Sequence, residues 1–453
     1  MSNENKLIYP TVDLFVYDLA QGMGQDEEKI SQNRQGFWQK IYGDKIYPAQ
    51  LEQLKQAETE TADYIELLGD KQVEKFESNL DGYSYPVKLN DTYAALFNFS
   101  GVEVDEDNKF KPKEIDCLES LKKEVISRVN PSATIGQSLL VSGQLTANDQ
   151  DALKTAQTCY SQLNLVPNAK WERDLKADGQ FLGADFYELW LPPGDMGNIG
   201  HVLICLFPHN SGESFDVTKE KLTKLYPHFL RLFAYRNKVI WAYTQSHQFK
   251  AELKGYPEKI QQIVDRVPAQ VNAPKVDLKE LQQSLVNYLT LFSAYANYIS
   301  RLEEQENTIK TNLKNYEKRL GTIGEKMGSD RTDFKFMENF SIFATEKYVC
   351  QVEADNRSLS GKLRLLENAI QTIKGISEIE RAKSDRTLNV TIGTVGVGIG
   401  ISGVYASTYA TQIKSPASPQ KSIDVNAVFW WSIGWGIVAG AIVFALIKIK
   451  NWR

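Results

Sequence analysis

Cysteine and histidine are scarce in this chain, and neither residue type has the spacing of a metal site. The 453 residues include 4 cysteines and 4 histidines. The cysteines are Cys117, Cys159, Cys205 and Cys350, and the histidines are His201, His209, His228 and His247. The cysteines lack the close pairs of a zinc site and the density of a disulfide scaffold. No two histidines have the i, i+4 spacing of a helical metal site. We therefore predict no catalytic site, no enzyme activity and no bound cofactor.

An excess of basic residues is also missing. The formal net charge is −5, which leaves no basic footprint for nucleic acid, so nucleic acid is not an expected partner. The stretch Met1–Leu14 has no apolar core and no Arg-rich amphipathic character, and we expect no signal or transit peptide. Gly194, Gly197 and Gly200 do not follow a dinucleotide or Walker pattern, so we predict that they connect two strands of a hairpin.

The first 270 residues contain both strand and helix patterns. Apolar runs bounded by Pro, Gly or Asn predict strands at Thr11–Tyr17, Gly136–Val141, Phe186–Leu191 and His201–Phe207. Helical patterns cover Asn148–Leu163, with Asn148 as the cap, and Lys219–Lys250. Because strands and helices follow one another irregularly, residues 1–270 are predicted to form an α+β cytosolic domain rather than a doubly wound sheet.

A heptad pattern follows this domain. Apolar and tyrosine residues recur with 3,4 spacing from Leu278 to Leu320, and Asp277 begins a capping box. Three glycines between residues 321 and 328 predict a break near 321–330, with a second helix from about Thr332. Residues 275–386 are thus predicted to form a long helical stalk with coiled-coil character. The first helix fits a hairpin within one chain, and the second favours self-association around a symmetry axis. Pairing within or between subunits stays open.

Two uncharged stretches, Thr387–Ile413 and Val425–Ile447, come last. About 20 apolar residues at 1.5 Å each cover a bilayer core of ~30 Å. Residues 387–453 are therefore predicted to form two transmembrane helices joined by the short loop 414–424, and flanking Lys and Arg residues predict that both termini are cytoplasmic. Aromatic residues at the two ends of the second span are predicted membrane-interface anchors. These are Trp430, Trp431, Trp435 and Trp452.

The first predicted span carries a polar stripe rich in glycine. The residues that fall on one helix face by 3 and 4 spacing are Asn389, Gly393, Gly396, Gly400, Gly403 and Ser407. Gly396 and Gly400 would let two helices approach closely, so helix packing alone is one interpretation. The other is a pore, in which a ring of these stripes lines an uncharged pathway for a hydrated ion.

The order of these segments resembles the CorA family of divalent-cation channels. A large α/β domain precedes a long helix, two C-terminal spans and a basic terminus, and the segment from Asn389 to Tyr405 is similar to the end of the family's first span. At the family's Gly-Met-Asn signature this chain has Ala406, Ser407 and Thr408, which are therefore the predicted filter. The resemblance implies a funnel-shaped homopentamer that conducts magnesium or a related cation.

Two functions follow as expectations. The first is a CorA-like homo-oligomeric ion channel with altered selectivity, for which Mg²⁺ would be substrate or regulator. Its expected location is a bacterial inner membrane, and its expected partners are further copies of the chain, the lipid bilayer and inorganic ions. The alternative is a non-conducting, membrane-anchored scaffold or signalling receptor, whose cytosolic domain binds a ligand or a partner. A stripe of glycines favours the pore, because a plain anchor does not need one.

Overall fold

The computed structural model describes residues 5–383, apart from short gaps at 23, 44–45, 59–61, 77, 79, 105, 107–109, 130–131, 192–198, 210–214, 273–276 and 328–334. The described chain divides into two compact units. The first holds residues 5–270 and 283–371, and the second holds the described parts of Val271–Gln282 and Thr372–Arg453.

The strands of the described residues form one 10-stranded sheet. They are β1 (Lys6–Leu19), β2 (Ile65–Glu66), β3 (Glu74–Lys75), β4 (Asp81–Leu89), β5 (Thr92–Ser100), β6 (Pro112–Glu114), β7 (Gly136–Leu145), β8 (Leu175–Phe181), β9 (Ala184–Trp190) and β10 (Ile199–Phe207). The order is β2-β4-β5-β1-β7-β10-β9-β8, with β3 beside β4 and β6 beside β1. Strands β7 and β10 are parallel, and the other described pairs are antiparallel.

Helices surround the sheet and continue beyond it in the sequence. They are α1 (Glu27–Tyr42), α2 (Pro48–Glu58), α3 (Cys117–Arg128), α4 (Ala152–Leu163), α5 (Trp171–Asp174), α6 (Phe215–Leu253), α7 (Tyr256–Val271), α8 (Leu278–Met327), α9 (Lys335–Phe343) and α10 (Cys350–Lys383). A π-helical segment, Ala344–Val349, joins α9 to α10. Such segments are rare and often occur near functional sites.

Both faces of the sheet are covered. Successive residues of β1 alternate between two cores, with Phe15 and Tyr17 in one and Leu14 and Val16 in the other. The first core is completed by α6, α8 and α9, and the second by α1, α3 and α4. Burial on both sides explains why β1 is a nearly continuous run of buried residues.

Helices α8 and α10 run antiparallel and contact each other within the first unit. The Tyr295 hydroxyl donates to the Leu359 carbonyl at 2.9 Å, and Asn356 Nδ2 donates to Glu306 Oε2 at 2.9 Å. Lys310 forms ion pairs with Glu306 and, at 2.5 Å, with Glu353. These polar contacts fix the register of the two helices, while self-association of α10 stays a prediction.

The prediction of membrane-spanning helices is corrected. Across the described ranges, no helix is both long enough and apolar enough to cross a bilayer. Helices α8 and α10 place buried apolar residues on one side and exposed polar residues on the other, as helices packed against protein do. The two-span arrangement, the funnel, the description as a transmembrane ion channel and the multi-pass membrane location with cytoplasmic termini therefore lack support. The segments 387–413 and 425–447 lie outside the described residues.

Some predicted boundaries also differ from the structure. Helix α4 is capped by Asp151, whose side chain accepts from the Lys154 amide, and not by Asn148. Helix α8 continues through Gly321 and Gly324 and ends at Met327, within the range 321–330 where a break is predicted. Burial of apolar side chains in this part of α8 outweighs the helix cost of about 1 kcal/mol for each glycine. The predicted start of α8 at Asp277 is confirmed, since its side chain accepts from two following amides.

Candidate functional site

Three polar side chains meet on the sheet face that packs against α6. Ser138, His201 and Glu188 come from the adjacent strands β7, β10 and β9. His201 Nδ1 lies 3.0 Å from Ser138 Oγ, and His201 Nε2 lies 3.1 Å from Glu188 Oε1. Serine, histidine and carboxylate in this order are the residue types of a hydrolase triad.

The hydrogen bonds determine which nitrogen of His201 carries the proton. Burial and the nearby Arg236 charge lower the pKa of His201 to about 4, so the ring is neutral at physiological pH. A carboxylate only accepts, so Nε2 carries the hydrogen toward Glu188, and Nδ1 accepts from the Ser138 hydroxyl. Asn237 Nδ2 donates to Ser138 Oγ at 2.9 Å and completes the chain of donors and acceptors.

Arg236 of α6 lies beside this chain in an aromatic environment. Its Nε is 3.9 Å from Glu188 Oε1, and its guanidinium lies 4.7 Å from the Phe340 ring centre and 5.5 Å from that of Trp190. The Trp190 indole donates to Glu188 at 2.8 Å. Arg236 Nε and Nη1 and Glu188 Oε2 have no hydrogen-bond partner among the described atoms. The rings therefore supply part of the stabilisation of this cation.

Access decides what this arrangement can do. Ser138, His201 and Glu188 are all 0% exposed. A nucleophile needs room for a reacting carbon about 3 Å from its oxygen, and the Ser138 hydroxyl is enclosed between His201 and Asn237. The backbone at Gly136 packs closely against Asn237, because a Cβ at residue 136 would come 2.4 Å from Asn237 Oδ1. The arrangement has the residues of a triad and the burial of a structural network.

A second buried polar group lies under α6. Asp13 of β1 accepts from Asn98 Nδ2 at 2.6 Å and from the Tyr226 hydroxyl at 2.8 Å. Burial raises the pKa of Asp13 to about 7, and the two hydrogen bonds only partly oppose the shift. Asp13 thus connects the sheet to the first turns of α6 without reaching solvent.

The exposed side of α8 has an unusual composition. Residues 281–300 contain no Asp, Glu, Lys or Arg, whereas charged residues recur from Arg301 to the end of the helix and make up 24% of the whole chain. Five exposed residues here follow 4,3,4,3 spacing and so lie on one face. This uncharged stripe consists of Val286, Thr290, Ser293, Asn297 and Ser300. Interface cores are depleted in charge in the same way.

The site residues predicted from the sequence are not members of these clusters. Three predicted sets of residues lie outside the described residues. They are the predicted pore residues Asn389, Gly393, Gly396, Gly400, Gly403 and Ser407, the predicted filter Ala406, Ser407 and Thr408, and the anchors Trp430, Trp431, Trp435 and Trp452. Sequence reasoning missed the clusters above, because their members are far apart in the chain. Glu188 and His201, polar residues within apolar strand runs, were the available signal.

Comparison with known proteins adds no relative. Neither a scan of protein-family models nor a search of curated proteins found a match for this chain.

Proposed function

We propose that the protein is a non-catalytic scaffold that associates with a second copy of itself through the uncharged stripe of α8. The observation that carries the proposal is the contrast within this one helix. Its first part presents Val286, Thr290, Ser293, Asn297 and Ser300 to solvent, and its second part presents charges. Exposed protein surface ordinarily carries charged side chains. Their absence over twenty consecutive positions indicates a surface that becomes buried in an interface.

A second copy suits this stripe for a physical reason. In a two-fold dimer the same patch meets itself, so like charges on it would face one another. An uncharged stripe of one apolar and four small polar side chains avoids that repulsion and lets two helices approach closely. The antiparallel contacts with α10 hold α8 in a fixed register, so the stripe is presented by a rigid element.

The enclosed Ser138–His201–Glu188 network supports a non-catalytic function. Ser138 and His201 are hydrogen-bonded to each other, to one oxygen of Glu188 and to Asn237, and these contacts hold β7, β9 and β10 against α6. A scaffold gains rigidity from such a network, since directional hydrogen bonds between buried groups favour one arrangement of the core.

A matched pair of substitutions tests the proposal. Asn297 and Asn307 are both exposed on α8, the first on the uncharged stripe and the second in the charged part. We expect mass photometry and sedimentation velocity of the full chain to show a dimer that Asn297→Glu weakens at least tenfold and Asn307→Glu leaves unchanged. A monomeric wild-type protein at micromolar concentration, or equal effects of the two variants, would overturn the proposal.

A further inference from the structure

Four basic side chains converge where α6 crosses the C-terminal part of α8. His228 and Arg231 come from α6, and Arg319 and Lys326 come from α8. Arg319 Nη1 lies 3.2 Å from His228 Nδ1, and Lys326 Nζ lies 3.2 Å from His228 Nε2. The cations Lys326, Arg319 and Arg231 all oppose protonation of His228, so the four groups share one electrostatic environment.

The contacts around His228 conflict with the chemistry of its ring. A neutral imidazole has one acceptor nitrogen and one N–H, and a protonated ring has no acceptor. Arginine and lysine side chains are donors only. Arg319 and Lys326 lie beside different ring nitrogens of His228, so at most one of the two can donate a hydrogen bond to the ring. The other cation faces an N–H group and needs an acceptor from elsewhere.

The described residues supply no carboxylate to this cluster. None of the ion pairs between described residues involves His228, Arg231, Arg319 or Lys326. Arg231 lies 4.1 Å from the ring centre of Tyr64, which holds its guanidinium in place. Glu66, the carboxylate that interacts with Tyr64, accepts instead from the Tyr85 hydroxyl at 2.6 Å.

The burial of the cluster suits a ligand that arrives from solvent. His228 is buried, Arg231 and Arg319 are half-buried, and Lys326 is exposed. Partial desolvation strengthens the attraction for an anion, and the exposed lysine leaves a route to it. Burial and the Arg319 charge lower the pKa of Arg231, as expected for cations held together without a counter-charge.

We propose that the His228–Arg231–Arg319–Lys326 cluster binds a phosphate group, free or as a phosphomonoester. Its tetrahedral oxygens would accept from both arginine forks and from the lysine, and so supply the acceptor that the ring cannot. The bound anion would also neutralise the repulsion between α6 and α8. This site is separate from the uncharged stripe of α8 and does not depend on dimer formation.

Calorimetric titration of the full chain tests the site. Inorganic phosphate, pyrophosphate and glycerol 3-phosphate are titrated separately at constant ionic strength, with chloride as the control anion. We expect one ligand per chain, with binding weakened ten- to a hundred-fold by Arg319→Gln and by Lys326→Gln. Tighter binding of glycerol 3-phosphate than of phosphate would identify a phosphomonoester as the ligand, and the reverse would identify free phosphate.

Lys318→Gln provides the matched control. Lys318 is exposed on α8 beside Arg319 and has the same charge, but it does not contact His228. We expect this variant to bind phosphate as the wild type does. No binding of any of the three anions, or an equal loss in Lys318→Gln and Lys326→Gln, would overturn the proposal, because an equal loss indicates only general attraction. Circular dichroism of each variant checks that the fold is retained.

Discussion

His201 and His228 lie in two polar clusters that differ in how their ring nitrogens are used. Both clusters involve α6, and in both the pKa of the histidine is lowered to about 4 by burial and neighbouring cations. His201 has an acceptor at one nitrogen and a donor at the other, whereas His228 has donors at both. Both ring nitrogens of His201 are matched by groups of the protein, and its network holds the fold together. A network that lacks an acceptor points to a ligand.

The largest expected difference between the clusters is in stability. Glu188→Gln removes the charge that faces the fully buried Arg236, and breaking a buried ion pair from one side costs about 3–5 kcal/mol. Arg319→Gln removes one of several repelling cations at a half-exposed position, so its effect is within about 0.5 kcal/mol or stabilising. Urea unfolding of both variants measures the contrast. Similar losses in the two would show that the clusters do not differ in this way.

The pH dependence of stability distinguishes a second pair of groups, His201 and Asp13. The lowered pKa of His201 means that its contribution is complete above pH 6.5 and is lost as the pH falls toward 4. The raised pKa of Asp13 acts in the opposite direction, because ionisation of this buried carboxyl lowers the free energy of unfolding. The loss begins above pH 3.8 and grows as the pH rises toward 7. Between pH 4 and 6.5 the two contributions oppose each other.

Asp13→Asn should reveal the histidine contribution. The amide keeps an acceptor for Asn98, and its N–H groups can donate to the Tyr226 hydroxyl. We expect the variant to lose about 3 kcal/mol of unfolding free energy between pH 6.5 and 4 from His201, at 1.36 kcal/mol per pKa unit, and His228 adds a loss in the same direction in variant and wild type alike. The wild type should change less over that range. Denaturant titrations at several pH values measure both curves, and parallel curves would contradict the assignment to Asp13.

Local patterns predicted much of the fold. The four predicted strands all overlap observed strands, because each is an apolar run that ends at turn residues. Helices α6 and α8 follow from their 3,4 spacing, which reports the buried face. Helix α8 passes through Gly321 before it ends at Met327, because propensity is weaker than burial, as Leu320 and Ile323 show in the core beside Gly321.

The two histidine clusters could not be predicted in the same way. Ser138 and His201 are 63 positions apart, and His228 and Lys326 are 98 positions apart, so no local motif joins them. Their proximity depends on the parallel pairing of β7 with β10 and on the crossing of α6 with α8. Strand order and helix crossing are set by the whole core, and a single sequence does not display them.

A third test compares how the two clusters tolerate an added methyl group, by replacing one glycine at each cluster with alanine. Gly136→Ala would place a Cβ 2.4 Å from Asn237 Oδ1, and Asn237 cannot withdraw without releasing Ser138. Overpacking of this kind costs about 1–3 kcal/mol. We expect a lower thermal midpoint for this variant, and an unchanged midpoint would mean that the network is looser than its contacts indicate.

The same substitution at Gly324, between Arg319 and Lys326 on α8, should have the smallest effect and the opposite sign. A Cβ at Gly324 meets nothing within 4 Å, and the residue lies inside a helix. Alanine there gains about 0.5–1 kcal/mol because it restricts the unfolded chain and favours the helix. Thermal unfolding should show a raised midpoint with phosphate binding retained, since the change leaves the four basic side chains in place. A lowered midpoint would mean that α8 needs a flexible glycine at this crossing.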